Sequence, residues 1–147
     1  MWKYINEYAQ MACGIEKILA IAYYHACQHT LTNTRCSHHC CIVFNEEKII
    51  TAQTNQPGSH AEMCAVTQCD TVGGMDILVI RVSADNNFRL VNSRPCIDCA
   101  NMLKYVNIRY IYFSNEYGRI VRVNKEEFAS DHITRKRVHK ERSLSVH

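Results

Sequence analysis

Two short clusters of reactive side chains, set far apart in the chain, constrain the fold more than any other feature. One is His60-Ala61-Glu62; the other is Pro95-Cys96-Ile97-Asp98-Cys99, with 33 positions from Glu62 to Pro95. Each falls at the start of a predicted helix. Ser59 to about Val72 follows the Pro57-Gly58 break and stops at Gly73-Gly74, and Pro95 to about Val106 begins on a residue favoured near helix starts. Between the two clusters, Asp76 to Val82 (DILVIRV) is the continuous apolar run of a strand buried on both faces. Cys96 and Cys99 are three apart, so at a helix start both sulfurs lie on one face. If the two helix starts abut, His60 becomes a third ligand beside them.

The rest of the chain fits around that pair. Asn6 to Gln28 reads as an amphipathic helix, with Ile15, Ile18, Leu19 and Ala22 recurring at three and four. Thr30 to Ser37 reads as loop. Cys40 to Phe44 and Lys48 to Thr54, separated by Asn45-Glu46-Glu47, suggest a hairpin. Asp85-Asn86-Asn87 is a turn that leads into a loop ending at Pro95. Ile108 to Phe113 and Gly118 to Val123 are strands joined by so short a turn that they must pair antiparallel. Lys125 to Ala129 is a helical turn. The order α-β-β-α-β-α-β-β describes an α/β fold, one sheet of five strands flanked by helices.

A length of 147 residues suits a single domain, expected here over residues 1–133, with residues 134–147 as a basic tail. The net charge of +3 belongs to that tail: residues 135–147 carry +4 and the rest of the chain −1. Such a body offers no evident polyanion groove, and a nucleic-acid or localisation role for the tail competes with a plain solvated charge run. The chain opens Met1-Trp2-Lys3-Tyr4, without a charged segment leading into an apolar run, and no stretch reaches the ~20 apolar residues of a membrane span. Nine cysteines in a scattered, odd-numbered set read as reduced thiols and metal ligands, so the expected compartment is cytoplasmic or nuclear and no membrane partner is expected.

Zinc sites that catalyse use three protein ligands and keep a fourth position open, and His60, Cys96 and Cys99 form such a set. Glu62 then stands beside the metal, placed to take a proton from water and hand it to a leaving amine. Each motif also has a purely structural reading. Ser59-His60-Ala61-Glu62 fits a capping box, with Ser59 as the cap and Glu62 three residues on. Cys96 and Cys99 alone fit a redox pair or half of a structural zinc site, although no second pair with suitable spacing follows.

Together the two motifs match the pattern H-x-E with P-C-x-x-C, and the chain from about Arg35 to Val123 resembles the cytidine deaminase-like superfamily. The resemblance implies a three-layer α-β-α sandwich with a five-stranded mixed sheet, its last two strands antiparallel. It implies one zinc ion per chain on His60, Cys96 and Cys99, with Glu62 as the catalytic proton carrier. It further implies that Asn55 hydrogen-bonds the sugar or base and that the backbone amide of Ala61 helps hold the pyrimidine carbonyl. The implied reaction is hydrolytic conversion of a cytosine-type base to a uracil-type base with release of ammonia. The partner expected first is a small nucleoside or nucleotide, as in CMP/dCMP-type deaminases, and a homo-oligomer is the expected assembly. A polynucleotide substrate (single-stranded DNA or RNA cytosine, or tRNA adenosine) and a catalytically inactive zinc-binding protein of the same fold are the alternatives.

Three further features carry competing readings. Cys36-Ser37-His38-His39-Cys40-Cys41 offers a second metal site, against Cys40 and Cys41 pointing to opposite faces of a strand as buried hydrophobes. Arg35 and His38 are candidates for substrate contact. Tyr110, Tyr112, Phe113 and Tyr117 could stack on bases, but alternation should put Tyr110 and Tyr112 on one face of a strand and Phe113 on the other, as core. Cys13, Cys27, Cys64 and Cys69 read as core, and His25, His29 and His132 stay unassigned.

Overall fold

The computed structural model describes residues 15–32, 38–46, 48–56, 59–67, 74–83 and 87–128. Helix α1 (Ile15–Thr32) is followed by β1 (His38–Asn45), β2 (Lys48–Thr54), α2 (Ala61–Thr67), β3 (Met75–Val82), β4 (Leu90–Val91), α3 (Ile97–Leu103), β5 (Ile108–Ser114) and β6 (Ile120–Asn124). A 3-10 turn at Lys125–Glu127 follows. Cys13, Arg35, Cys36, Ser37, Cys69, His132, the start of the first predicted helix and the basic tail lie outside the described residues, as do the breaks at Pro57-Gly58 and Gly73.

The strands form one mixed sheet in the order β2-β1-β3-β5-β6. β1 and β2 are the predicted hairpin, with Cys40 opposite Thr54 and a register shift at Val43/Phe44. β1 also pairs antiparallel with β3, whereas β3 and β5 run parallel, with α3 in the crossover between them. β5 and β6 pair antiparallel, as the short turn between them requires. The sheet has a sixth strand that the sequence does not announce. β4 is only two residues long and pairs with the far end of β3, through Arg81–Val91 and Val82–Leu90. Two residues carry no periodicity, so that stretch reads as loop.

The apolar run of β3 feeds both faces, as its composition predicts. Leu78, Ile80 and Val82 join Ile18, Leu19, Ala22, Ile42 and Phe44 in the core under α1. Met75, Ile77 and Val79 join Ala61, Ala65, Ala100, Leu103, Ile111 and Phe113 in the core under α2 and α3. The result is the three-layer α-β-α arrangement. Tyr112 is buried in the α1 core with Tyr110 packed against it, and Phe113 lies in the opposite core. Cys40 and Cys41 likewise turn to opposite cores, both fully buried, and burial pushes the Cys40 thiol up to about 12.

Some boundaries move for local reasons. α1 continues past Gln28 to Thr32, and in its last turn the Thr30 hydroxyl donates to the Cys27 carbonyl (2.6 Å) rather than pulling the chain into a turn. α3 is shorter than its apolar pattern, closing at Lys104, whose N–H donates to the Met102 carbonyl. The β5–β6 turn requires Gly118: its φ is +72°, and a Cβ there would lie 2.7 Å from the Leu90 carbonyl oxygen.

Candidate metal centre

α2 and α3 lie on the same face of the sheet, and small residues let both come down onto it. Ala61 and Ala65 occupy one face of α2 at i and i+4, and Ala100 takes the same role in α3. The two helices begin alike. The His60 carbonyl accepts from the Cys64 N–H (3.0 Å) and the Cys96 carbonyl from the Ala100 N–H (2.8 Å). His60 and Cys96 are therefore the cap residues of facing helices, and each projects a metal-capable atom from the cap position.

This settles the capping-box reading of the first motif. The cap is His60, one residue later than Ser59. The Ser59 N–H is engaged elsewhere, donating to the Gln56 carbonyl (2.9 Å) in a small antiparallel bridge, so Glu62 does not reach back to it. Glu62 is instead 4% exposed and turned toward the cluster, where it interacts with Cys99 and His60.

His60 Nδ1 lies 3.2 Å from Cys99 Sγ and 3.5 Å from Cys96 Sγ. The three donor atoms lie within 4.8 Å of one another, and among the described residues they form the one group of three or more side chains able to hold a metal. Among the described residues the second motif is thus not an isolated pair: it gains one histidine and no fourth protein ligand. All six described cysteines are free thiols.

The electrostatics fit a cation. Hydrogen bonding from Cys99, with a further contribution from His60, pushes the Cys96 thiol down to about 3 against the opposing effect of burial. The Cys99 thiol, donating to Cys96, is pushed up strongly, with burial and the nearby Glu62 adding to the effect. Its hydrogen bond to Cys96 raises His60, against burial. Burial raises Glu62, partly offset by hydrogen bonds and by His60. Cys96 is thus held as the more acidic of the two thiols, with Cys99 and His60 hydrogen-bonded to it and Glu62 close by. A divalent cation held by both sulfurs would require both as thiolates. One imidazole nitrogen and two thiolates are a borderline-soft set suited to zinc, with three protein ligands leaving a position open.

Asn55 follows the last residue of β2, and the hairpin register brings it against the start of β1. Its Oδ1 accepts from the His39 N–H at 3.1 Å. A backbone N–H can only donate, so the orientation of the amide is fixed and Nδ2 is the atom that faces away. The Asn55 carbonyl in turn lies 3.0 Å from His29 Nε2, and His29 Nδ1 lies 3.2 Å from His38 Nδ1. His29 and His38 are both buried, so His38 serves this network. Ala61 is the first residue of α2, and its N–H has no acceptor within the helix.

Sequence reasoning missed two polar networks. His29 and His38 are nine residues apart with no ligand spacing, and nothing local marks them as a pair. Ser93 and Ser114 meet across 21 residues in the core, a contact visible only once the sheet exists.

The family model for the cytidine and deoxycytidylate deaminase zinc-binding region matches residues 14–115, more than half of the chain. That span contains His60, Glu62, Cys96 and Cys99. Searches of curated proteins and of solved structures return no match. Among the described residues, no helix is long and apolar enough to cross a membrane.

Proposed function

Because the chain belongs to the cytidine and deoxycytidylate deaminase zinc-binding family, we propose that it is a zinc-dependent hydrolytic deaminase acting on the cytosine base of a free nucleoside or nucleotide. One observation carries the reading: His60 Nδ1, Cys96 Sγ and Cys99 Sγ converge at the starts of two facing helices, with the buried Glu62 carboxyl beside them. When bound, zinc supplies Lewis acidity and brings the ionisation of water into the neutral range.

The residues of the chain divide the remaining work. Glu62 takes one proton from the attacking water and delivers it to the ring nitrogen, then takes the second from the newly attached hydroxyl and delivers it to the departing amine. A C–O bond forms at the amine-bearing carbon, the C–N bond breaks and ammonia leaves. Burial raises the Glu62 carboxyl above the usual carboxylate range, the direction that favours a group able to hold a proton as well as to take one. The Ala61 N–H donates to the carbonyl oxygen of the base, and Asn55 Nδ2 donates to an acceptor on the sugar or base.

Charge supports the small-substrate form. Outside the tail the chain carries −1. Arg109 is paired with Asp76 at 3.2 Å, while Arg94 lies over Phe113 and Phe128, and Arg122 over Tyr110. A substrate panel with ammonia detection tests the reading: cytosine, cytidine, deoxycytidine, CMP, dCMP, guanine, and short single-stranded DNA and RNA, each against Glu62→Gln. Turnover of a small cytosine compound, lost in the variant, is expected. Turnover of the oligonucleotides alone selects the polymer substrate, and a zinc-loaded protein inert on the whole panel overturns the assignment.

A further inference from the structure

The segment that delivers Cys96 to the metal centre has no regular secondary structure between Val91 and Ile97, so something other than a ladder must hold it. Ser93 is 2% exposed and Ser114 is fully buried, and their hydroxyls lie 2.7 Å apart. Ser93 Oγ donates to the Val79 carbonyl (2.7 Å) and Ser114 Oγ to the Val91 carbonyl (2.6 Å). The Ser114 N–H donates to Ser93 Oγ, and the Ser93 N–H to the Ser114 carbonyl, each at 2.8 Å.

These bonds sit at a fork in the sheet. β3 pairs with β5 as far as Val79–Phe113, and beyond it β4 becomes the neighbour of β3 at Arg81 and Val82. Where one ladder gives way to the other, main-chain carbonyls lose strand partners, and a buried carbonyl needs one. The two hydroxyls supply it. They thereby tie the ends of β3, β4 and β5 to a residue only three positions before Cys96. Between Ser93 and Cys96 stand Arg94 and Pro95, and Pro95 is buried with its φ fixed by its ring. Few torsions remain between the clasp and the ligand.

We propose that Ser93 and Ser114 are positioning residues for the zinc ligand Cys96, acting through this buried clasp to hold its sulfur in register with Cys99 and His60. The inference rests on the metal-centre reading and extends it to two residues that touch no metal.

The test measures zinc affinity by chelator competition, together with the thiolate-to-metal absorption of the cobalt(II)-substituted protein. The proteins are the wild type, Ser93→Ala, Ser114→Ala and Ile42→Val, the last a packing control in the α1 core. Residues that orient metal ligands change affinity by about 10- to 100-fold when removed. Both serine variants are expected to lose affinity in that range with an altered cobalt spectrum, while Ile42→Val keeps both. Ser114→Ala is read independently should Ser93→Ala fail to fold. A wild type that binds zinc alongside serine variants with unchanged affinity and spectrum overturns the proposal alone. A wild type that takes up no zinc overturns the metal-centre reading, and the proposal falls with it.

Discussion

On the face of the sheet beneath α1, Leu78, Ile80 and Val82 meet an apolar layer from one long helix, and the buried polar groups there include the pair His29 and His38. On the other face Ile77 and Val79, from the same strand, lie under two short helices that begin with metal-capable caps and enclose a carboxyl. The first face uses a continuous helix to bury area. The second uses two seven-residue helices, too short for much independent stability, whose starts are the functional groups. A single run such as DILVIRV serves both faces, because alternation sends its side chains to each in turn. The difference teaches that stability and chemistry are separated across the thickness of one sheet, and substitutions on the two faces should therefore have different readouts.

The largest effect is expected on the metal face. Glu62→Gln should lower turnover by about 10²- to 10⁴-fold, the range of a lost general acid–base group, while bound zinc is retained. Ammonia release and metal content measured on one sample check this, and a variant that keeps its turnover breaks the comparison at its strongest point. Next comes the packing face. Ile80→Ala removes a fully buried side chain and should cost about 2–5 kcal/mol in urea unfolding, with zinc affinity unchanged. A large loss of zinc affinity there would mean that the faces are not separable.

A smaller effect is expected where the two ladders meet. Gly118→Ala forces a side chain into a left-handed conformation against the Leu90 carbonyl and should cost about 1–3 kcal/mol, read as a lower thermal midpoint. The smallest is a pH effect on the α1 face. Burial, then the charges of His29 and Arg81, lowers His38 below its usual 6.5. The unfolded chain therefore binds the proton more readily. His38 contributes full stability above about pH 6.5, and that contribution is lost as pH falls toward its lowered folded value. Unfolding free energies measured across that window should slope less steeply in His38→Gln, and an unchanged slope contradicts the assignment.

Much of this was legible in the sequence, and the limits have physical causes. His60, Glu62, Cys96 and Cys99 could be read because short-range spacing at two helix starts fixes which atoms share a face. The opposite turning of Cys40 and Cys41, and of Tyr112 and Phe113, followed from strand alternation alone. The true cap of α2 was not legible, since Ser59-His60-Ala61-Glu62 fits a capping box that starts one residue too early. The difference lies in the Gln56–Ser59 bridge. β4 is too short for any period, and the Ser93–Ser114 and His29–His38 contacts depend on strand order, which no local pattern encodes.

The central claim is that one face of this sheet presents a three-ligand zinc centre, and metal stoichiometry tests it most directly. Elemental analysis of the purified protein should find one zinc per chain, reduced to a small fraction in Cys99→Ala while the fold, followed by circular dichroism, persists. A wild type without bound metal, or a Cys99→Ala protein that keeps a full equivalent of zinc, would contradict the account.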